Sequence, residues 1–314
     1  MLYLLARKSQ KGCLVLPSMI AVTAADAGYF ELLRDLLLSL EAARPQAPER
    51  PEGADLAVGL FDLGLTAEQL AWLDGRVTRI VTPGWDLAVP PAVRAARPHA
   101  RALTVRPFLP QHFPGYDTYL WIDADVWVQS WQGIDLFRSA ARLNPVAAAP
   151  HTDRAFPLHR RMVQRRHASF AASYGKAEAD LLCIENHLNA GVYAARAGSP
   201  LWALWAEVFQ QGIDASKGAD INDQTALNYA WYRRGLSVHV LPASCNWTCH
   251  MAKPAWNPRT RQFCEPFLPF APIALLHLCG LTRQRVYDLA GLDGKRHRMS
   301  LRYPGGQQAR EAVG

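Results

Sequence analysis

The chain has 314 residues, half of them hydrophobic and 19% charged, a balance that excludes a disordered segment or a coiled coil and is enough for one large α/β domain or two small ones. Its formal charge of +7 suits an anionic partner such as a nucleotide diphosphate or an acidic lipid surface. No nucleic-acid-binding motif accompanies the arginine clusters at Arg160, Arg161, Arg165 and Arg166 or the basic stretch Lys295 to Arg302, which argues against nucleic acid.

In chain order, Met19 to Ala24 reads as a short buried strand, and Tyr29 to Ala42 follows with Phe30, Leu33, Leu37 and Leu40 at helical spacing. A polar loop from Pro45 to Gly53 leads to a second strand at Ala54 to Phe61, a helix at Thr66 to Leu73 capped by Leu65 or Thr66, and a third strand at Val77 to Val81. Strands alternating with helices predict a Rossmann-like, mainly parallel sheet covered on both faces. Thr118 to Ile122 is a further apolar run that stops at Asp123, so the acidic triplet falls at the carboxyl end of a strand, where open α/β sheets bind ligands. The span 151–180 reads as a basic helical insertion. Strands are predicted at Ala190 to Ala195, Val238 to Leu241 and Ile273 to Leu278, and a helix at Asp223 to Arg234. The expected organisation is a single domain over 1–288 and a basic C-terminal extension over 289–314.

Six cysteines lie at irregular spacings, which predicts reduced thiols in a cytoplasmic protein. Cys245, Cys249 and His250 lack the Cys-x-x-Cys pairs usual in a structural zinc site. Met1 to Ala6 is followed at once by Arg7 and Lys8, too short for a secretory hydrophobic run of about 7–15 residues. No stretch reaches the roughly 20 apolar residues of a membrane span, so any membrane contact is expected to be peripheral, on an anionic inner face.

Asp123 and Asp125 offer the oxygen ligands that Mg2+ and Mn2+ prefer when they clamp a diphosphate. Alone, such a triplet is common in turns and caps; the buried run before it gives it weight. Asn189-Ala190-Gly191-Val192 places a small-residue turn before a strand, where glycine permits close backbone approach. Asp223-Gln224 opens a helix that runs on through Leu227 and Asn228, a place where acids are usually caps. His277 ends an apolar run and is followed by Gly280 and Arg283. A neutral imidazole there could complete a metal shell, and the arginine could hold a leaving diphosphate. A lone histidine on an apolar strand is more often a satisfied core residue.

Taken together and in order, these segments resemble the family 8 type of glycosyltransferases on the GT-A fold. The family's opening Ala-Ala-Asp and Tyr are matched by Ala24, Ala25, Asp26 and Tyr29, its basic residue before the Asp-x-Asp by Arg106, and the triplet itself by Asp123, Ala124 and Asp125. Asn189, Ala190, Gly191 and Val192, then Asp223, Gln224, Leu227 and Asn228, then His277, Gly280 and Arg283 match the later motifs. Arg283 stands where the family usually has lysine, which keeps the charge and changes the geometry. Gly28 replaces an asparagine found in several members.

The resemblance implies a GT-A fold and transfer of a sugar from a nucleotide-sugar donor, a UDP-sugar, to a glycan, lipid-linked or other hydroxyl acceptor, with retention at the anomeric carbon, in surface glycan or glycoconjugate synthesis. It implies Mn2+ or Mg2+ held by Asp123, Asp125 and His277, with Asp223 and Gln224 catalytic and the other matched residues on the donor. A rival segment, His250-Met251-Ala252-Lys253, competes with His277 for the third ligand. Two other readings compete. Ile122 to Val126 fits the Asp-x-Asp nucleophile motif of haloacid-dehalogenase-like phosphatases, although it sits deep in the chain and no paired-Asp motif follows. The third is a catalytically inactive sugar-nucleotide-binding protein on the same fold.

Overall fold

The computed structural model describes residues 7–8, 14–15, 18–44, 56–280 and 285–304. The expected strand β1 spans Met19–Ala25 and the helix after it, α1, spans Phe30–Ala43. Then come β2 (Leu56–Asp62), α2 (Ala67–Leu73) and β3 (Arg79–Val81). Thr66 is the N-cap of α2: its hydroxyl accepts from Gln69 N while the Gln69 side chain returns to Thr66 N, a reciprocal capping box. Short helical turns lead to β4 (Thr118–Ile122), β5 (Val126–Val128), α3 (Trp131–Leu143) and β6 (Val146–Pro150). The basic stretch forms α4 (Arg160–Tyr174) and α5 (Lys176–Leu182), preceded by an irregular stretch. The rest is β7 (Leu188–Arg196), α6 (Leu201–Ala215), α7 (Asp223–Arg233), β8 (Val238–Val240), β9 (Trp247–Thr248), β10 (Leu275–His277), β11 (Val286–Ala290) and β12 (Arg296–Ser300), with a small hairpin of Ala255–Asn257 and Gln262–Cys264 before β10.

The central sheet has seven strands in the order β8-β6-β7-β4-β1-β2-β3. All neighbours are parallel except β7, which runs antiparallel to both β4 and β6. Both faces are covered, so the strands read as unbroken apolar runs rather than alternating ones. Within β1, Ile20 and Val22 join one core, with Trp121, Trp205 and Phe209, while Met19 and Ala21 join the other, with Leu36, Leu120 and Phe137. This is the two-residue period of a strand expressed as two cores. Each fully buried leucine or isoleucine in them contributes about 1.5–3 kcal/mol.

Beyond β4 the chain turns at Asp123–Val126, with Val126 N donating to Asp123 O, and enters β5. A second sheet, β9-β10-β5, is built there. The β11–β12 hairpin packs on this side. Leu289 and Leu301 are buried with Trp127 and Trp247 in a third core, and Arg302 ion-pairs with the buried Asp35 of α1. Among the described residues no helix is long and apolar enough to cross a membrane.

Candidate active site

The site is made by two registers. In the central sheet β4 pairs with β7, and the first residue past β4, Asp123, donates its N–H to Gly191 O. In the small sheet β5 pairs with β10 so that His277 lies opposite Val126, and Leu278 N donates to Asp125 O. Strand pairing thus carries His277 to the two acids: its Nε2 lies 3.2 Å from Asp125 Oδ1 and 3.7 Å from Asp123 Oδ2. One potential ligand atom from each of the three lies within 4.8 Å of the others, and this is the one such group of His, Cys, Asp or Glu among the described residues. His250 is not in it.

Gly191 is required by space rather than by backbone angle. A Cβ there would lie 2.4 Å from His277 Cε1, 2.8 Å from Asp123 Oδ2 and 2.9 Å from Asn189 Oδ1. The strand is irregular at this point: between Ala148 and Pro150 of β6 the partner in β7 jumps from Tyr193 to Leu188, so the Asn189–Val192 segment bulges beside the three ligands.

Asn189 is buried and sets a chain of hydrogen bonds. Its Oδ1 accepts from Gly191 N at 2.7 Å and from Asn246 Nδ2 at 3.0 Å. With the amide of Asn246 so oriented, its Oδ1 faces His277 Nδ1 at 2.9 Å, and His277 must be the donor. In neutral His277 the bare nitrogen is therefore Nε2, the one facing the carboxylates, which is how outer-shell partners aim a histidine ligand. Burial opposes charge on His277, yet Cys279 and Asp125 beside it hold its pKa well above the ordinary histidine range. Burial pushes Asp123 above the usual carboxylate range, against Arg106 and His277, which pull it down. The donor set of two carboxylates and one imidazole suits Mg2+ or Mn2+. The grouping of one potential ligand atom from each residue within 4.8 Å of the others fits a divalent ion.

Arg106 is 7% exposed and links the acids. Its guanidinium donates to Asp123 Oδ1 at 2.6 Å, to Asp223 Oδ2 at 2.5 Å and to Ala190 O at 3.1 Å, and it stacks on Trp121 with its carbon 4.5 Å from the ring centre. Trp121 Nε1 gives Asp123 Oδ1 a further bond at 2.8 Å. Burial works against the charge of Arg106, but Asp123 and Asp223 raise its pKa.

A cavity of 590 Å3 opens over these groups. It is lined by Ala24, Ala25, Asp26 and Tyr29 at the end of β1, by Arg106 and the Asp123–Asp125 triplet, and by His277 and Gly280. Asp26 Oδ1 accepts from Tyr29 N and orders the turn. Asn189, Ala190 and Gly191 stand behind the ligands, outside the cavity lining. Asp223 is turned to Arg106. Gln224 Oε1 accepts from Ala190 N, and its other end faces a second cavity. Lys253 sits over the Tyr287 ring. Arg283 lies outside the described residues. Asn246, Trp121 and Cys279 also belong to the site, and the sequence reading did not single them out. Trp121 lies within the apolar run before Asp123, whereas Asn246 carries no local signal.

No family model and no curated protein matches the chain. Solved structures do match in fold. The galactosyltransferase LgtC in complex with donor and acceptor sugar analogues superposes with a TM-score of 0.52 at 20% identity, covering 85% of this chain and 90% of that one. An active-site mutant of LgtC gives 0.52 at 17% identity, covering 94% and 95%. The bifunctional glycosyltransferase WbbM, without ligand, gives 0.51 at 18% identity over 84% of this chain and 46% of its own. The fold of this chain is thus the GT-A type that the sequence predicts.

Proposed function

We propose that the chain is a metal-dependent glycosyltransferase that moves a sugar from a nucleoside diphosphate, in our reading UDP, to an acceptor hydroxyl with retention of anomeric configuration. The observation that carries this reading is the convergence of Asp123, Asp125 and His277, from strands of two sheets, around a glycine that leaves no room for a Cβ. The fold shared with LgtC, whose structure holds donor and acceptor sugar analogues, supports it.

In this reading Asp26 and Tyr29 receive the base and ribose, and Asp123, Asp125 and His277 hold Mg2+ or Mn2+ for the diphosphate. The bound ion supplies charge neutralisation for the departing diphosphate. Arg106 fixes the direction of Asp123 and Asp223 through its hydrogen bonds to both carboxylates. Asp223 and Gln224 are assigned to offset positive charge building on the sugar; the Gln224 carbonyl keeps a second lone pair beyond the one taken by Ala190 N–H. Arg283 is assigned to the leaving diphosphate. We place the reaction in glycoconjugate synthesis, in the cytoplasm and peripherally on an anionic membrane face, which vesicle co-sedimentation tests.

Asp125→Asn should lower metal-dependent release of nucleoside diphosphate from UDP-sugars by at least about 100-fold, the scale of losing an electrostatic stabiliser. Unchanged turnover would sink the metal assignment. Proton NMR of the first product formed reads the anomeric configuration. The GT-A type fold argues against the phosphatase alternative. Release of phosphate from simple phosphoesters would revive it.

A further inference from the structure

A second cavity, of 330 Å3, lies between the basic stretch and the start of α7. Gln224 connects it to the site above. Its Oε1 is fixed by Ala190 N, so its Nε2 donates to His151 Nδ1 at 3.2 Å, and His151 keeps its remaining N–H, on Nε2, for another partner.

The lining of this cavity is cationic. Arg165, Arg166 and four histidines contribute to it, and no aspartate or glutamate does. Arg166 is 7% exposed, and among the described residues its guanidinium donates only to uncharged oxygens: Glu185 O at 3.0 Å, Thr152 Oγ1 at 2.9 Å and His151 O at 3.4 Å. Its Nε has no partner. Arg165 is exposed, and its side chain makes no hydrogen bond or ion pair among the described residues. Asp220, the carboxylate that accepts from the lining Ser169, is shared with Ser173. The histidines register the same imbalance: burial first and then Arg166 push His151 down to about 3 and His187 to about 4. A buried arginine without a carboxylate is costly, and a planar guanidinium suits oxyanions in particular.

We propose that this cavity receives the acceptor, and that the acceptor carries an anionic group, a phosphate or a carboxylate, bound by Arg165 and Arg166 while its hydroxyl faces Gln224. The placement of the hydroxyl rests on the glycosyltransferase reading; the anion preference rests on the cavity alone.

The test is calorimetric titration of the full chain, with Mg2+ and UDP present to occupy the donor cavity, by methyl glucoside, glucose 6-phosphate and glucuronic acid. At least one anionic sugar should bind about tenfold or more tightly than the neutral one, as expected for a gained charged hydrogen bond. The tighter of the two identifies phosphate or carboxylate. Arg165→Glu, a change at an exposed position, should erase the preference, and Arg166→Lys, which keeps the charge and loses the fork, should reduce it. Equal affinities, a preference that survives both substitutions, or no binding of either anionic sugar overturns the proposal. Binding of UDP and Mg2+ is read in the same experiment before sugar is added. Its failure strikes the donor reading, and the sugar titrations still decide the anion preference.

Discussion

Two residues that contact no substrate in this reading control the geometry of the ion site. Gly191→Ala would put a methyl group 2.4 Å from His277 Cε1, a separation that real atoms avoid, so the histidine or the strand must move. Mn2+ affinity, measured by calorimetry, should fall roughly 10–100-fold, the range for a misaligned ligand, and a stability loss of about 1–3 kcal/mol accompanies the overpacking. Asn246→Leu removes the acceptor that holds His277 Nδ1–H and should weaken Mn2+ to a similar degree, again roughly 10–100-fold. Unchanged affinity in the Asn246 variant would show that packing alone orients the imidazole. Asp123 and His277 stand out in the sequence because each ends an apolar run where a charged or basic side chain calls for a reason, and Asp125 because it completes the Asp-x-Asp triplet; the fold brings the three together. Asn246 does not stand out: an asparagine between a cysteine and a tryptophan follows no period, and its importance exists only through Asn189 and His277, both distant in sequence.

At the scale of elements, the apolar runs at β1, β2 and β4 and the capped helix α2 were readable because burial on both faces leaves unbroken hydrophobic stretches with clear punctuation. The antiparallel direction of β7 was not readable, since side-chain periodicity is the same in either sense. Val146–Pro150 escaped notice because its three alanines have little strand preference, and Val126–Val128 is too short to show a pattern. The helical pair α4–α5 reads in the sequence as a basic helical stretch, and its packing has a consequence for pH. His187 is 3% exposed and donates from Nε2 to Leu182 O. Burial and Arg166 lower its pKa to about 4 in the folded chain, against an unfolded value of about 6.5. The unfolded chain therefore binds the extra proton between these values. The neutral form's contribution is fully present above the unfolded pKa and is lost as pH falls toward the folded one, on the order of 3 kcal/mol in all. Urea unfolding at pH 7.5 and pH 4.5 should show a smaller drop in stability for His187→Gln than for the unchanged chain. Equal drops would place the acid sensitivity elsewhere.

Over the whole molecule, the last described segment is structural. Leu301 is fully buried with Trp127, whose indole donates to Leu301 O at 2.9 Å, and Arg302 reaches back to Asp35 and to Glu31 O on α1. Leu301→Ala should cost about 2–5 kcal/mol in urea unfolding, as buried leucines do. A tail that merely trailed from the core would be indifferent to it. The sequence showed only basic residues here, because the burying residues alternate with exposed arginines along β12.

The two sheets also set a timetable for the newborn protein. Every strand of the central sheet has been synthesised once Val240 is made, whereas His277 comes later and reaches the acids only when Leu275–His277 pairs with Val126–Val128. Chains emerge from the ribosome amino end first, at roughly 5–20 residues per second. The strands of the main scaffold are therefore all present while the proposed ion site still lacks its imidazole, and a nascent chain stopped before His277 carries the two carboxylates without it. On the proposed reading, competence to bind the ion arises only after His277 has been made and its strand has paired with Val126–Val128.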